Sequence, residues 1–191
     1  MNSLCLPSHR LKSHGRSRAK RRPSLVRASP LSRHQGLVSR EGKVMRCALG
    51  RSGLAALKRE GDGATPRARV VPVLMLRRGA PGRYGIAERR IRPRDGWCDD
   101  AGSAGYNLPC AAGIAASHER LWRDDALYDF CVVTDHNQRP RVRGAGSAIF
   151  VHVARPALSA TEGCLAFPMK AWRAGQVAMA PWLIGSDPRP V

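Results

Sequence analysis

From Arg46 onward, short runs of β-type residues alternate with Gly, Pro and Asp punctuation, and helical spacing is rare. Residues 70–76 read as a strand, with Pro72, which cannot donate to a ladder, marking an edge or bulge. Residues 127–133, with Phe130, Cys131, Val132 and Val133 in succession, predict a buried strand that ends in the turn-rich stretch 135–140. The strongest strand signal covers residues 146–153, and residues 163–167 begin a fourth strand. Between them, residues 117–123 predict a short helix with Ser117 as its N-cap. Residues 168–191, interrupted by Pro168, Pro181 and Pro188, carry weak signals. These elements predict a mainly β fold, a sandwich or compact sheet with one or two short helices, and no internal repeat.

Residues 1–44 are rich in Arg, Ser, Pro and His and show neither period, so they are expected to form a disordered basic tail. An alternative is that they are not native coding sequence and that Met45 is the true start, since the pattern becomes domain-like just after it. The domain is therefore expected over 45–191. A chain of 191 residues has room for one ordinary core and a tail. With only 5% aromatic residues, that core is expected to rest on Val, Ile, Leu and Ala.

Charge adds a partner question. The formal net charge of +19 attracts polyanions such as nucleic acid, anionic lipid or an acidic wall polymer. Residues 1–46 carry twelve Lys or Arg against the single acid Glu41, so much of the basicity belongs to the tail. No zinc-finger spacing, RNA-recognition motif or helix-turn-helix pattern accompanies it, and nucleic acid is not the expected partner. No stretch has the eighteen or so apolar residues of a membrane span, and no apolar segment of an export signal is visible.

The six cysteines form no CxxC pair. Cys98 and Cys110 are candidates for a bridge in an oxidising compartment, and Cys131 reads as a buried core residue. Cys164 stands apart because Gly163 precedes it and His152, one residue from the end of the strong strand, lies twelve residues earlier. A loop containing Pro156 and Ser159 separates the two. Adjacent strands joined in this way can bring a thiol and an imidazole together, and the imidazole is then expected to lower the thiol pKa. The N–H groups of Gly163 and Cys164 are candidates for an oxyanion hole. A structural His and an ordinary Gly-Cys pair remain the alternative. Asp99, Asp100, Asp124 and Asp125 are adjacent pairs whose side chains diverge, and no metal site or cofactor is expected.

Three ordered blocks extend this reading. Ser147 to His152 followed by Thr161-Glu162-Gly163-Cys164 resembles the catalytic signature of the L,D-transpeptidases of bacterial peptidoglycan, in which a strand-borne His precedes an S/T-x-G-C motif. Residues 58–66, ending in Gly63-Ala64-Thr65-Pro66, look like an early turn of that family. Gly96-Trp97-Cys98-Asp99-Asp100, Tyr106-Asn107 and the stretch 117–125 are similar to one bacterial branch of it. The resemblance covers residues 46–167. It implies a compact β-sandwich-like catalytic domain with Cys164 as nucleophile and His152 as base. It further implies Gly163, Thr161 and His118 as oxyanion or substrate-binding residues, peptidoglycan stem peptides as substrate, and acylation by carbapenem-type β-lactams. It also implies action in the periplasm or cell envelope, against the absence of a visible signal peptide.

The sequence departs from the family at two kinds of position. The Arg of an S-x-G-C-x-R form is Ala166 here, which removes a cation near the thiolate. Glu162 adds a like charge, so it is expected to point outward or to be offset by Arg155. Ala68 and Val70 replace a Gly and an aromatic after Thr65-Pro66, and the family's C-terminal part is not recognisable beyond Phe167. A non-catalytic wall-binding relative of the same fold, and nucleic-acid binding through the basic arm, stand as alternatives.

Overall fold

The computed structural model describes residues 22–82, 84–113 and 117–185. The chain is mainly β. In order, the strands are β1 (Ser24–Ser29), β2 (Ser32–Arg40), β3 (Lys43–Ala48), β4 (Leu54–Ala55), β5 (Thr65–Pro66), β6 (Arg69–Val70) and β7 (Pro72–Arg77). They continue with β8 (Ala87–Arg90), β9 (Asp95–Cys98), β10 (Pro109–Ala111), β11 (His118–Arg120) and β12 (Phe130–Thr134). The last are β13 (Phe150–Val153), β14 (Leu165–Phe167) and β15 (Trp182–Ile184). Among the described residues one short α-helix, α1 (Met169–Arg173), and two 3₁₀ turns accompany them. No described helix is long and apolar enough to cross a membrane.

Ten strands form one mixed sheet in the order β6-β15-β1-β2-β3-β14-β13-β12-β7-β8. β6 and β7 are separated in sequence by Val71 alone, yet they occupy the first and ninth places. The sheet must therefore curl until its two ends meet at that residue. Strand alternation then sorts the side chains. Val132, Val151, Val153, Leu165 and Phe167 point inward with Val26, Val38, Val70, Met75, Trp182 and Ile184 to form the main core. Leu76, Cys131, Val133 and Phe150 point outward into a second cluster closed by Ile91, Trp97, Leu121 and Tyr128. Trp97 enters that cluster from β9, the central strand of the three-stranded sheet β10-β9-β11.

Three expectations change here. Residues 24–48 form β1, β2 and β3, in the middle of the large sheet, so the basic segment expected to be disordered over 1–44 is structured from Ser24 onward. The part of that expectation on residues 1–21 lies outside the described residues. Met45 sits inside β3 opposite Val38, and a chain starting there would lack β1 and β2. The turn between β2 and β3 uses Glu41 and Gly42, both at positive φ (49° and 76°), the backbone a two-residue hairpin requires. Residues 118–120, expected to be helical, are strand β11 on β9. The core is also more aromatic than composition implies, because Trp182, Phe150 and Phe167 are among its largest fully buried side chains.

Candidate active site

His152 lies on β13, and Cys164 immediately precedes β14, which pairs with β13 in parallel. On β13, His152 lies opposite Cys131 of β12 and Ala166 of β14. Cys164 precedes Ala166 by two residues, and by alternation it shares the outer face with His152 as a diagonal neighbour. Both side chains line one cavity of about 220 Å³, together with Glu60, Asp99, Glu119, Arg123, Tyr128, Ser147 and Arg155. The loop between the strands, carrying the 3₁₀ turn Pro156–Leu158, forms one rim.

The imidazole is held in one tautomer. Its Nδ1 lies 2.8 Å from the carbonyl oxygen of Val153, which only accepts, so Nδ1 carries the hydrogen and Nε2 keeps a bare lone pair. The ring of Tyr128 packs edge-on against it at 5.3 Å, and the indole of Trp172 donates to the His152 carbonyl at 3.1 Å. Burial pushes the imidazole pKa down to about 4, so it is neutral across the physiological range.

The thiol is held differently from expectation. It donates to the carbonyl oxygen of Ala148 at 3.2 Å and accepts from the N–H of Phe150 at 3.4 Å. Burial pushes its pKa up to about 12, partly offset by the Phe150 N–H, so His152 does not produce a resting thiolate. The site holds a neutral thiol beside a neutral base. Of the nearby cations, Lys58 favours the thiolate. Glu162, at the cavity edge, ion-pairs with Arg51 at 2.9 Å and adds only a minor upward push on the thiol pKa.

The predicted strand over 146–153 begins only at Phe150, and the reason lies in this thiol contact. Ala148 adopts a positive φ of 48°, unusual for a residue with a side chain, which turns its carbonyl to the sulfur. Its N–H donates to Oδ1 of Asn107 at 3.1 Å. Asn107 is 1% exposed and joins three segments. Its Oδ1 also accepts from the indole of Trp97 at 2.9 Å, and its Nδ2 donates to the carbonyls of His136 and Asn137.

Gly163 has a φ of 137°, and a side-chain carbon there would lie 2.7 Å from the Ala64 carbonyl oxygen. Glycine is thus required by close backbone approach as well as by conformation. Its N–H is not free to receive an oxyanion at rest, because it donates to the Thr161 hydroxyl at 3.2 Å. That hydroxyl in turn donates to the Cys164 carbonyl at 2.7 Å. Thr161 therefore pins the turn that presents the cysteine, although it also lines the cavity rim.

His118 is not brought to the cavity. As a strand residue it lies on the opposite face of β11 from Glu119, packed over Gly96, and it is Glu119 that reaches the site. Glu119 pairs with Arg123 at 3.3 Å, and burial raises its pKa against the pull of that guanidinium. Arg123 also lies over the Tyr128 ring at 5.7 Å. Sequence reasoning missed Glu119, Arg123, Tyr128 and Asn107 as site components. The period-two reading of residues 118–120 is the signal that would have found Glu119. Cys98 and Cys110 are both free thiols. Asp100 and Asp125 are engaged locally, with the Gly102 N–H and with Arg123.

Compared with protein-family models, curated proteins and solved structures, the chain finds no match.

Proposed function

We propose that this chain is a cysteine-dependent acyltransferase of the L,D-transpeptidase kind, acting on peptidoglycan stem peptides in the periplasm or cell envelope. The observation that carries the reading is the pairing, on one sheet face and in one cavity, of the Cys164 thiol with a His152 imidazole whose Nε2 lone pair is left open. The three sequence blocks support the substrate class. The curled sheet with its outer layer over the site supports a compact, sandwich-like catalytic domain.

In this mechanism substrate enters the cavity and draws the thiol away from Ala148. The S–H proton passes to Nε2 as sulfur attacks the carbonyl of the diamino-acid residue of a stem tetrapeptide. The tetrahedral adduct collapses to a thioester, and the proton on Nε2 goes to the departing amine of the terminal D-Ala. An amine of a second stem, or water, then attacks the thioester and gives a proton to Nε2. The C–S bond breaks, and that proton returns to the departing Cys164 sulfur, leaving a cross-link or a trimmed peptide. The N–H of Cys164, and that of Gly163 once released from Thr161, stabilise the oxyanion. No cofactor enters any step.

Incubation with a carbapenem followed by intact-mass measurement tests the proposal. A single adduct is expected on the wild type and none on Cys164→Ala. No adduct on the wild type, or equal adducts on both, refutes it. A second reading, a wall-binding relative that has lost turnover, draws on the neutral thiol, the occupied Gly163 N–H and Ala166. Muropeptide binding without any adduct favours that reading.

A further inference from the structure

A second cavity, of about 750 Å³, shares no lining residue with the first. Its size falls within the roughly 300–1,000 Å³ of small-molecule sites. Its walls come from the main core: Phe167, Trp172, Met179 and Trp182 are all buried, and Tyr84 and Met45 are half-buried. It opens beside the β2–β3 turn, where Arg40, Glu41 and Lys43 form the rim.

The rim is net cationic, with Arg40 and Lys43 against the single acid Glu41. Arg40 Nη2 bonds to Glu41 at 3.2 Å, while Arg40 Nε is buried without a hydrogen-bond partner. That N–H is closed off from the cavity, so contacts to a head group fall to Arg40 Nη2 and to Lys43. The chain's own N-terminal segment is a poor fit, since residues 1–21 carry six Lys or Arg and no acid. A negative head with an apolar body matches both the rim and the walls. Glu41 is 58% exposed at its side chain and can leave Arg40 to water when another carboxylate arrives.

We propose that this cavity binds a single-chain anionic lipid, a long-chain fatty acid, with its acyl chain among the tryptophans and its carboxylate on Arg40 and Lys43. The carboxylate takes the place of Glu41 on Arg40 Nη2, with Lys43 beside it at the same mouth. The site is independent of the acyl-transfer reading, and its test leaves Cys164 out of the readout.

The intact chain is titrated with a nitroxide-labelled stearate while tryptophan emission is followed. Trp172 and Trp182 line the cavity, so emission falls saturably at one equivalent, and unlabelled palmitate reverses it. Palmitate methyl ester competes roughly tenfold less well, as expected for a lost charged hydrogen bond. In Arg40→Ala and in Lys43→Ala the acid weakens toward the level of the ester while the ester is unchanged. Absence of saturable quenching, quenching that palmitate fails to reverse, or equal affinity of acid and ester for the wild type overturns the proposal. The acid–ester comparison on the wild type decides the matter even if a variant fails to fold.

Discussion

The resting protonation of Cys164 gives the sharpest quantitative test. A thiol with its pKa at about 12 in place of an ordinary 9.0 carries about a thousandfold less thiolate at any pH below 9. Part of that deficit returns as greater basicity, because nucleophilicity toward disulfides rises with thiol pKa with a Brønsted slope of about 0.4–0.5, or roughly twentyfold here. The net expectation is that dithiodipyridine modifies Cys164 about fiftyfold more slowly at neutral pH than it modifies an unfolded cysteine peptide, before any steric slowing. The rate should climb about tenfold per pH unit through about pH 10 without a shoulder. Peptide mapping by mass spectrometry isolates Cys164 from the other thiols. Carbapenem acylation should behave differently, since there the proton moves to His152 during attack, and its rate should stay level across neutral pH and fall only toward about pH 4. A plateau in the disulfide rate at or below about pH 8 refutes the neutral pair and restores a resting thiolate–imidazolium.

Four further outcomes follow from the same geometry. Between pH 6.5 and about 4 an unfolded imidazole binds a proton that buried His152 does not, so stability falls as pH drops through that window, by about 3 kcal/mol in full. His136, also lowered by burial, adds in the same direction; urea midpoints should show His152→Gln losing most of this dependence and its carbapenem acylation falling at least roughly a hundredfold. Gly163→Ala puts a carbon 2.7 Å from the Ala64 carbonyl oxygen at a φ of 137°, and a calorimetric scan should show a destabilisation of roughly 1–3 kcal/mol along with loss of acylation. Asn107→Ala strands the Trp97 indole and the Ala148 N–H, each costing roughly 1–3 kcal/mol, and should lower Tm while speeding disulfide modification of Cys164. Deleting residues 1–44 removes β1, β2 and the start of β3, and circular dichroism should then show no cooperative unfolding transition.

The sequence pattern made the β class and the Cys164–His152 pairing legible because both depend on local alternation. Val132, Val151 and Leu165 face inward while Cys131, His152 and Cys164 face outward, as period two requires. The N-terminal hairpins were hidden because Arg27, Leu37 and Arg46 form an exposed row across β1, β2 and β3, and a mixed basic–apolar surface reads as tail composition. Glu41-Gly42 is a less familiar hairpin pair than Asn-Gly, which concealed the turn between them. His118 was misplaced through a choice of period: a helical reading put it toward the site, and the strand put Glu119 there. The thiol's raised pKa was invisible for another reason. It comes first from burial, which depends on tertiary packing, while the thiol's contact with the Ala148 carbonyl is set by a turn that Asn107, forty-one residues away, holds.

β1 is joined to β2 on one side and, in parallel, to β15 on the other, with Ser24 opposite Trp182 and Val26 opposite Ile184. During synthesis the first hairpins emerge long before their last partner exists. The free flank of β1 must wait, with its backbone donors and acceptors unpaired, until more than 150 further residues have left the ribosome. Closure by such distant contacts is slow, so a chaperone that shields this flank should raise the yield of soluble protein more than one acting on the finished domain.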